Sequence, residues 1–303
     1  MSDGDTKSNL GPVSYTNYTP KKLKNRNNIC YANAITQVLC IIPEFSNLVF
    51  DSSLRNDFDI QLKLLVKAIF VNQNNPIKKR VPIESSIFMK KLIPSVWRWG
   101  AMQDASEFLT HILNTTQISG VSDIFKFHNK VSSICFNCNE NACEENLQEE
   151  NILLLSLDQE NLINEIKLLL SQYLNYYSVD DFSCNRCHQS GNVHRLNEFA
   201  NVLKNLLVQL KIYNEQGVKI DHIPIYIDQQ IMINSDCLYL HAVVYHQGST
   251  LQSGHFLAEI YVNSACYKVS DESVEQIGLY SNILMLSLDQ KNLINKIKLL
   301  LSK

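Results

Sequence analysis

The chain has 303 residues, 45% of them hydrophobic, enough to bury a sizeable core in one large domain or two modest ones. Its 27 Lys and Arg face 30 Asp and Glu, a formal net charge of -3, so no overall field favours nucleic acid or an anionic membrane. No run of about 18 apolar residues appears, the polar N-terminal stretch lacks the apolar centre of a signal peptide, and the nine cysteines are an odd count, which together predict a soluble, monomeric protein of a reducing compartment, the cytoplasm or nucleus.

Residues 1–19 carry Ser, Asn, Asp, Gly and Lys with little to bury and are expected to form a disordered tail, with the fold beginning near Lys21. An Asn-rich loop then runs from Leu23 to Ile29 into Cys30, after which Ala34, Ile35, Val38, Leu39 and Ile42 recur at helical spacing until Pro43. Cys30 therefore falls in the first turn of a buried helix, where unpaired N–H groups and the helix dipole favour a thiolate. The other reading of the same residue is a small core cysteine at a helix start.

Ile60, Leu62, Leu65, Val66 and Ile69 predict a second helix, broken at Asn72 to Pro76, and Ile87 to Ile93 a third. Asp104 to Leu113 is a fourth, with Ala105, Phe108, Leu109 and Ile112 on one side and the carboxylates of Asp104 and Glu107 on another. Those acids fit an N-cap on a solvated face as well as a cation-binding edge.

Phe125 to Ile134 alternates weakly and enters Cys135-Phe-Asn-Cys138, and Cys184-Asn-Arg-Cys187 follows after 45 intervening residues. Two such pairs suit a structural, tetrahedral Zn2+ ion, because a two-residue spacer lets both thiolates of a knuckle point to one metal. Metal-free thiols, or substitution of a ligand by His188 or Cys143, are the alternatives. Four protein ligands leave no open position for catalysis.

Between the pairs, Asn151 to Leu157 predicts a buried strand, and Asp158 a cap on a helix with Leu162, Ile163, Ile166, Leu169 and Leu170 on its apolar side. Residues 151–172 and 282–303 differ at only four of 22 positions, which points to a segmental duplication and not an architectural repeat. In the second copy Ile283 to Leu288 is apolar enough for a strand, while Leu293 to Leu301 has an open fate. Val202 to Tyr213, Lys219 to Ile233 and Leu238 to Val269 are strand-like. A helical lobe followed by a sheet lobe predicts an α+β fold. In the sheet, Gly254-His255 follows a turn-rich stretch, and Ser270-Asp271 closes the next strand-like run.

Three ordered segments resemble the ubiquitin-specific proteases, papain-like cysteine deubiquitinases: their cysteine box around Cys30, their Gln-Asp-Ala box at Gln103-Asp104-Ala105, and their histidine box from His255 to Val274. The resemblance spans about 20–275. It implies a helical thumb (about 20–120), zinc-ribbon-like fingers (about 121–200) carrying Cys135, Cys138, Cys184 and Cys187, and a β-sheet palm (about 201–303), all in one catalytic domain of residues 20–303 closed by Ile283 to Leu288.

It further implies Cys30 as nucleophile, His255 as general base and acid, and Asn25 as an oxyanion donor. Ser270 stands where most relatives have Asp; its hydroxyl can accept from His255 Nδ1, with Asp271 as the alternative partner. Gln103, Asp104, Glu107 and Gly254 are implied at the substrate channel, the carboxylates meeting the Arg-containing tail of ubiquitin. Asn27 replaces a glycine where the loop wants positive φ. The implied partner is ubiquitin or ubiquitinated proteins; a weak or inactive ubiquitin-binding relative, or a protease for a ubiquitin-like modifier, are the rival readings.

Overall fold

The computed structural model describes residues 18–302 apart from 54–55, 72–80, 144–145, 158–163, 202–203, 212–224, 235, 251–252, 280–283 and 287–293. The expected tail falls mostly outside these residues, as do the Asn72 to Pro76 break and the cap at Asp158. Its last part differs from expectation: Tyr18 is buried, its ring 5.3 Å from that of Phe70 and its carbonyl accepting from Asn263 Nδ2 at 3.1 Å.

Helix α1 (Cys30–Cys40) is buried along its whole length, as an apolar run with Ala32, Ala34, Ile35, Val38 and Leu39 on several faces requires. Pro43 ends nothing by itself. It opens α2 (Pro43–Asp51) from the first turn, where its missing N–H costs no bond, so a helix follows that hydrophobic spacing alone did not reveal. Helices α3 (Asp57–Val71), α4 (Ser86–Leu92) and α5 (Ala105–Thr115) complete the thumb. Tyr31 of α1 stands edge-on to Phe108 of α5 at 5.7 Å, fastening the helix that begins at Cys30 to the helix capped by Asp104.

The fingers are built from β1 (Phe127–Cys135), β2 (Glu140–Asn141) and β3 (Asn146–Glu150), joined from further along by β6 (Tyr177–Val179) and β7 (Val193–Phe199). The order is β2-β1-β7-β6, with β3 also on β1. The segment between, β4 (Ile152–Ser156), β5 (Asn164–Glu165) and α6 (Ile166–Tyr173), leaves the fingers: β4 pairs in parallel with the palm strand β8 (Asn205–Lys211). Assigning all of 121–200 to fingers is corrected accordingly. The apolar side chains of Leu153 and Leu155 need a buried sheet, and the palm supplies it.

The palm continues with β9 (Ile225–Ile227), β10 (Gln230–Ile233), β11 (Asp236–Thr250), β12 (Ser253–Val262), β13 (Ala265–Ser270) and β14 (Ser273–Leu279), then β15 (Leu284–Leu286) and β16 (Ile294–Ser302). Its large sheet has the order β14-β13-β12-β11-β16-β8-β4, with β10 on β11. On β12, Phe256, Ala258 and Ile260 face the core shared with α1, while Leu257 and Tyr261 face a second core under the sheet. Burial on both faces explains the continuous apolar run of this strand.

The duplicated segment changes role between its copies. Ile166-Lys-Leu-Leu-Leu-Ser171 is helical in α6, and the identical Ile297-Lys-Leu-Leu-Leu-Ser302 is extended in β16. Closure of the palm by Ile283 to Leu288 is therefore corrected: β15 pairs with β9 in a small side sheet of order β15-β9-β5, and β16 fills the slot between β11 and β8. Leucine and lysine suit either state, and the two flanking ladders decide it. Leu299 sits opposite Val243 on one side and Val208 on the other. Leu299→Pro should thus remove a ladder bond from a central strand and destabilise the protein by about 3 kcal/mol or more, measured by urea denaturation.

Candidate active site

The loop before α1 is held by its own asparagines. Asn25 Oδ1 accepts from the Ile29 N–H at 2.9 Å, fixing the last turn before Cys30. Asn27 has φ 64° and Asn28 φ 54°, so the expected left-handed residue is followed by a second, and asparagine is the residue other than glycine that tolerates this region most readily. Asn28 Nδ2 donates to the Gly100 carbonyl at 2.8 Å.

Cys30 is 2% exposed, and its Sγ–H meets Met102 Sδ at 3.9 Å. Burial pushes this thiol up to about 11; a backbone N–H at Phe256 pulls it down, and the charge of Asp271 pushes it further up. Burial thus opposes the thiolate expected from the helix start. The same backbone contact brings the sulfur to β12, because Phe256 follows His255. No hydrogen bond joins Cys30 to the His255 ring among the described residues. Such bonds tighten when substrate arrives.

His255 is the third residue of β12 and is half-buried. Its Nε2 lies 2.8 Å from Ser270 Oγ and 3.6 Å from Asp271 Oδ2. The ring partner is therefore Ser270, through Nε2 and not the expected Nδ1, and Asp271 stands behind it. Asp271 occupies the left-handed region at φ 49°, in the turn between β13 and β14. Its Oδ1 accepts from Asn33 Nδ2 at 2.7 Å, Asn25 also bonds to the carboxylate, and its carbonyl accepts from the Leu23 N–H at 2.9 Å. Burial raises its pKa, while Asn33, His255 and Asn25 each oppose that shift.

Asn33 and Ser85, which sequence reasoning passed over, complete this network: Asn33 Oδ1 lies 2.8 Å from Ser85 Oγ. The available signal was an amide near the start of an apolar-rich helix, followed at helical spacing by Thr36 and Gln37. Asn25 is thereby occupied at both ends, its oxygen on Ile29 and its amide on Asp271, so one amide hydrogen is left for a substrate oxygen.

The channel residues divide. Asp104 caps α5, its carboxylate accepting from the Ser106 and Glu107 N–H groups. Glu107 is exposed and Gln103 half-exposed. Gly254 is dictated by packing: at φ 148° a Cβ there would stand 2.3 Å from the Gln247 carbonyl and 2.4 Å from His246 Nε2. His246 itself is buried against Phe256, ring centroids 4.6 Å apart.

In the fingers the four cysteine sulfurs lie within 4.8 Å of one another, with Cys135 to Cys187 at 3.7 Å and Cys138 to Cys184 at 3.8 Å. Zinc–sulfur bonds of about 2.3 Å in a tetrahedron require sulfurs about 3.8 Å apart, so the set fits a structural zinc ion. Each knuckle turns the same way: Asn139 N–H bonds to the Cys135 carbonyl and His188 N–H to that of Cys184, with Asn139 and His188 both at left-handed φ. His188 is thus used as a turn residue, and neither it nor Cys143 joins the cluster among the described residues. Backbone N–H groups of Cys187 and Arg186 draw Cys184 down to about 7, while burial and the neighbouring thiols push Cys138 up. Freshly purified protein should carry one zinc per chain by elemental analysis, and Cys184→Ser should remove it and lower the melting temperature; less than half an equivalent in the unaltered protein would contradict the assignment.

The sequence model of the family described as ubiquitin carboxyl-terminal hydrolase matches residues 21–286. A curated relative from Oryza sativa subsp. japonica, ubiquitin carboxyl-terminal hydrolase 26, is 26% identical over 304 residues, covering 89% of this chain and 28% of its own length. The chain therefore spans little more than a quarter of that relative. Among solved structures, the SAGA DUB module containing Ubp8 bound to monoubiquitin aligns with a TM-score of 0.71 at 17% identity, over 98% of this chain and 72% of that one. The same module bound to ubiquitin aldehyde gives 0.70 at 17% identity, over 95% and 71%. At these identities the structural likeness speaks for the fold, an α+β arrangement of thumb, fingers and palm.

Proposed function

Because the chain belongs to the ubiquitin carboxyl-terminal hydrolase family, we propose that it is a thiol-dependent deubiquitinase that hydrolyses the peptide or isopeptide bond after the terminal glycine of ubiquitin. The observation that carries this reading is the His255–Ser270 pair on the strand whose next residue, Phe256, meets the Cys30 sulfur. With its proton on Nε2 and given to Ser270 Oγ, the imidazole keeps the Nδ1 lone pair free for the thiol.

Cys30 Sγ attacks the glycine carbonyl carbon as His255 Nδ1 takes the thiol proton. The oxyanion that forms is met by the remaining Asn25 amide hydrogen and by backbone N–H groups at the start of α1. Collapse of the tetrahedral species breaks the C–N bond, and His255 returns its proton to the leaving lysine amine. Water, deprotonated by His255, then attacks the thioester and releases the ubiquitin carboxylate and the free thiol. Zinc in the fingers would hold the two knuckles together and takes no part in these steps.

Ser270 orients the ring without bringing a charge to the imidazolium, and Asp271, at 3.6 Å and tied to Asn33 and Asn25, supplies a more distant negative charge. Burial of Cys30 and the uncharged Ser270 beside His255 favour a second reading, a ubiquitin-binding relative without turnover.

Ubiquitin bearing a C-terminal electrophile should form a covalent adduct that Cys30→Ala abolishes, seen as a mass shift. Binding of ubiquitin without any adduct would establish the second reading instead. Ser270→Ala should lower kcat on a ubiquitin C-terminal fluorogenic substrate by about 10- to 100-fold, the range expected for losing a hydrogen bond to a charged group. An unchanged kcat would transfer the orienting role to Asp271.

A further inference from the structure

The group against the Cys30 sulfur is the thioether of Met102, 3.9 Å away and half-buried. Two more contacts hold the chain around Met102 to the start of α1. Asn28 Nδ2 grips the Gly100 carbonyl at 2.8 Å, where Gly100 turns at φ 88°. Trp97 stands edge-on to Tyr31 with ring centroids 6.1 Å apart. Residues 97–102 are thus fastened to positions 28, 30 and 31, and the thioether is aimed at the sulfur between them.

A reacting carbonyl carbon must come within about 3–3.5 Å of that sulfur. With Met102 in van der Waals range and the cysteine otherwise enclosed, one side of the approach is already filled. We propose that Met102 is a positioning residue that caps the resting nucleophile: its side chain keeps water from Cys30 and swings aside when the substrate carbonyl enters. An unbranched side chain with three rotatable bonds can make that movement while Asn28 and Trp97 hold the backbone still. The covering is done by bulk, and the weak S–H contact to the thioether adds to it.

This inference rests on Cys30 as the nucleophile and is independent of ubiquitin as the substrate. It is read from the alkylation rate of the intact protein by iodoacetamide between pH 6 and 10, followed on the Cys30 peptide by mass spectrometry. In the unaltered protein the rate should climb about tenfold per pH unit without a plateau, because a thiol held high gains thiolate in that proportion. Met102→Ala should admit water and raise the rate at pH 8 by about tenfold, one unit of thiol pKa. Met102→Leu refills the space and should stay within about twofold of the unaltered protein.

A profile of the Ala variant that superimposes on that of the unaltered protein would overturn the cap, and so would a Leu variant shifted as far as Ala. A failed ubiquitin adduct would overturn the deubiquitinase reading and leave these profiles unchanged, so the two failures are distinguishable.

Discussion

The carboxylate of Asp271 is the point at which separate pieces of this chain are tied together. It is 10% exposed, takes a hydrogen bond from Asn33 on α1 and another from Asn25 in the preceding loop, and faces His255 across the turn after β13. A buried carboxylate is costly unless its oxygens are satisfied, and here satisfying them requires the thumb helix, the loop before it and the palm turn to be in register at once. The backbone repeats the tie, with the Leu23 N–H on the Asp271 carbonyl and Lys24 and Ile83 paired beside it. Docking the helix that begins at Cys30 against the strands that carry His255 and Ser270 is therefore tied to satisfying one acid.

That arrangement sets the electrostatics of the site. Enclosure by α1, β12 and Met102 takes water from the Cys30 sulfur, and the nearby Asp271 charge discourages a second anion. In the proposed reaction the imidazole, held by a hydroxyl, receives the thiol proton as the acyl group arrives. A site built with Ser270 in place of a carboxylate thus puts its charge one residue later and farther away, and relies on a neutral partner for orientation alone.

Much of this was legible in the residues. The Cys30 helix, the paired knuckles and the strand carrying His255 follow from periodicity and spacing, since each is decided by nearby residues. Helix α2 was hidden because Pro43 terminates and initiates with the same chemistry, and only the chain beyond it shows which. Met102, Asn33 and Ser85 carry no local signature; they matter because folding places them beside groups distant in sequence. The identical hexapeptide in α6 and β16 marks the limit most clearly, for no reading of six residues can assign two conformations to them. Neighbouring strands do so.

The position of β16 has a further consequence for assembly. Until residues 294–302 have left the ribosome, β8 and β11 have no common neighbour, and each shows an unpaired edge that invites pairing with another chain. Helices α2, α3 and α4 pack on neighbours close in sequence and can collapse early, whereas α1 packs most extensively on β12. The lobe bearing His255 must wait for its interior strand, so both halves of the active site come together only after the last ladder is laid down.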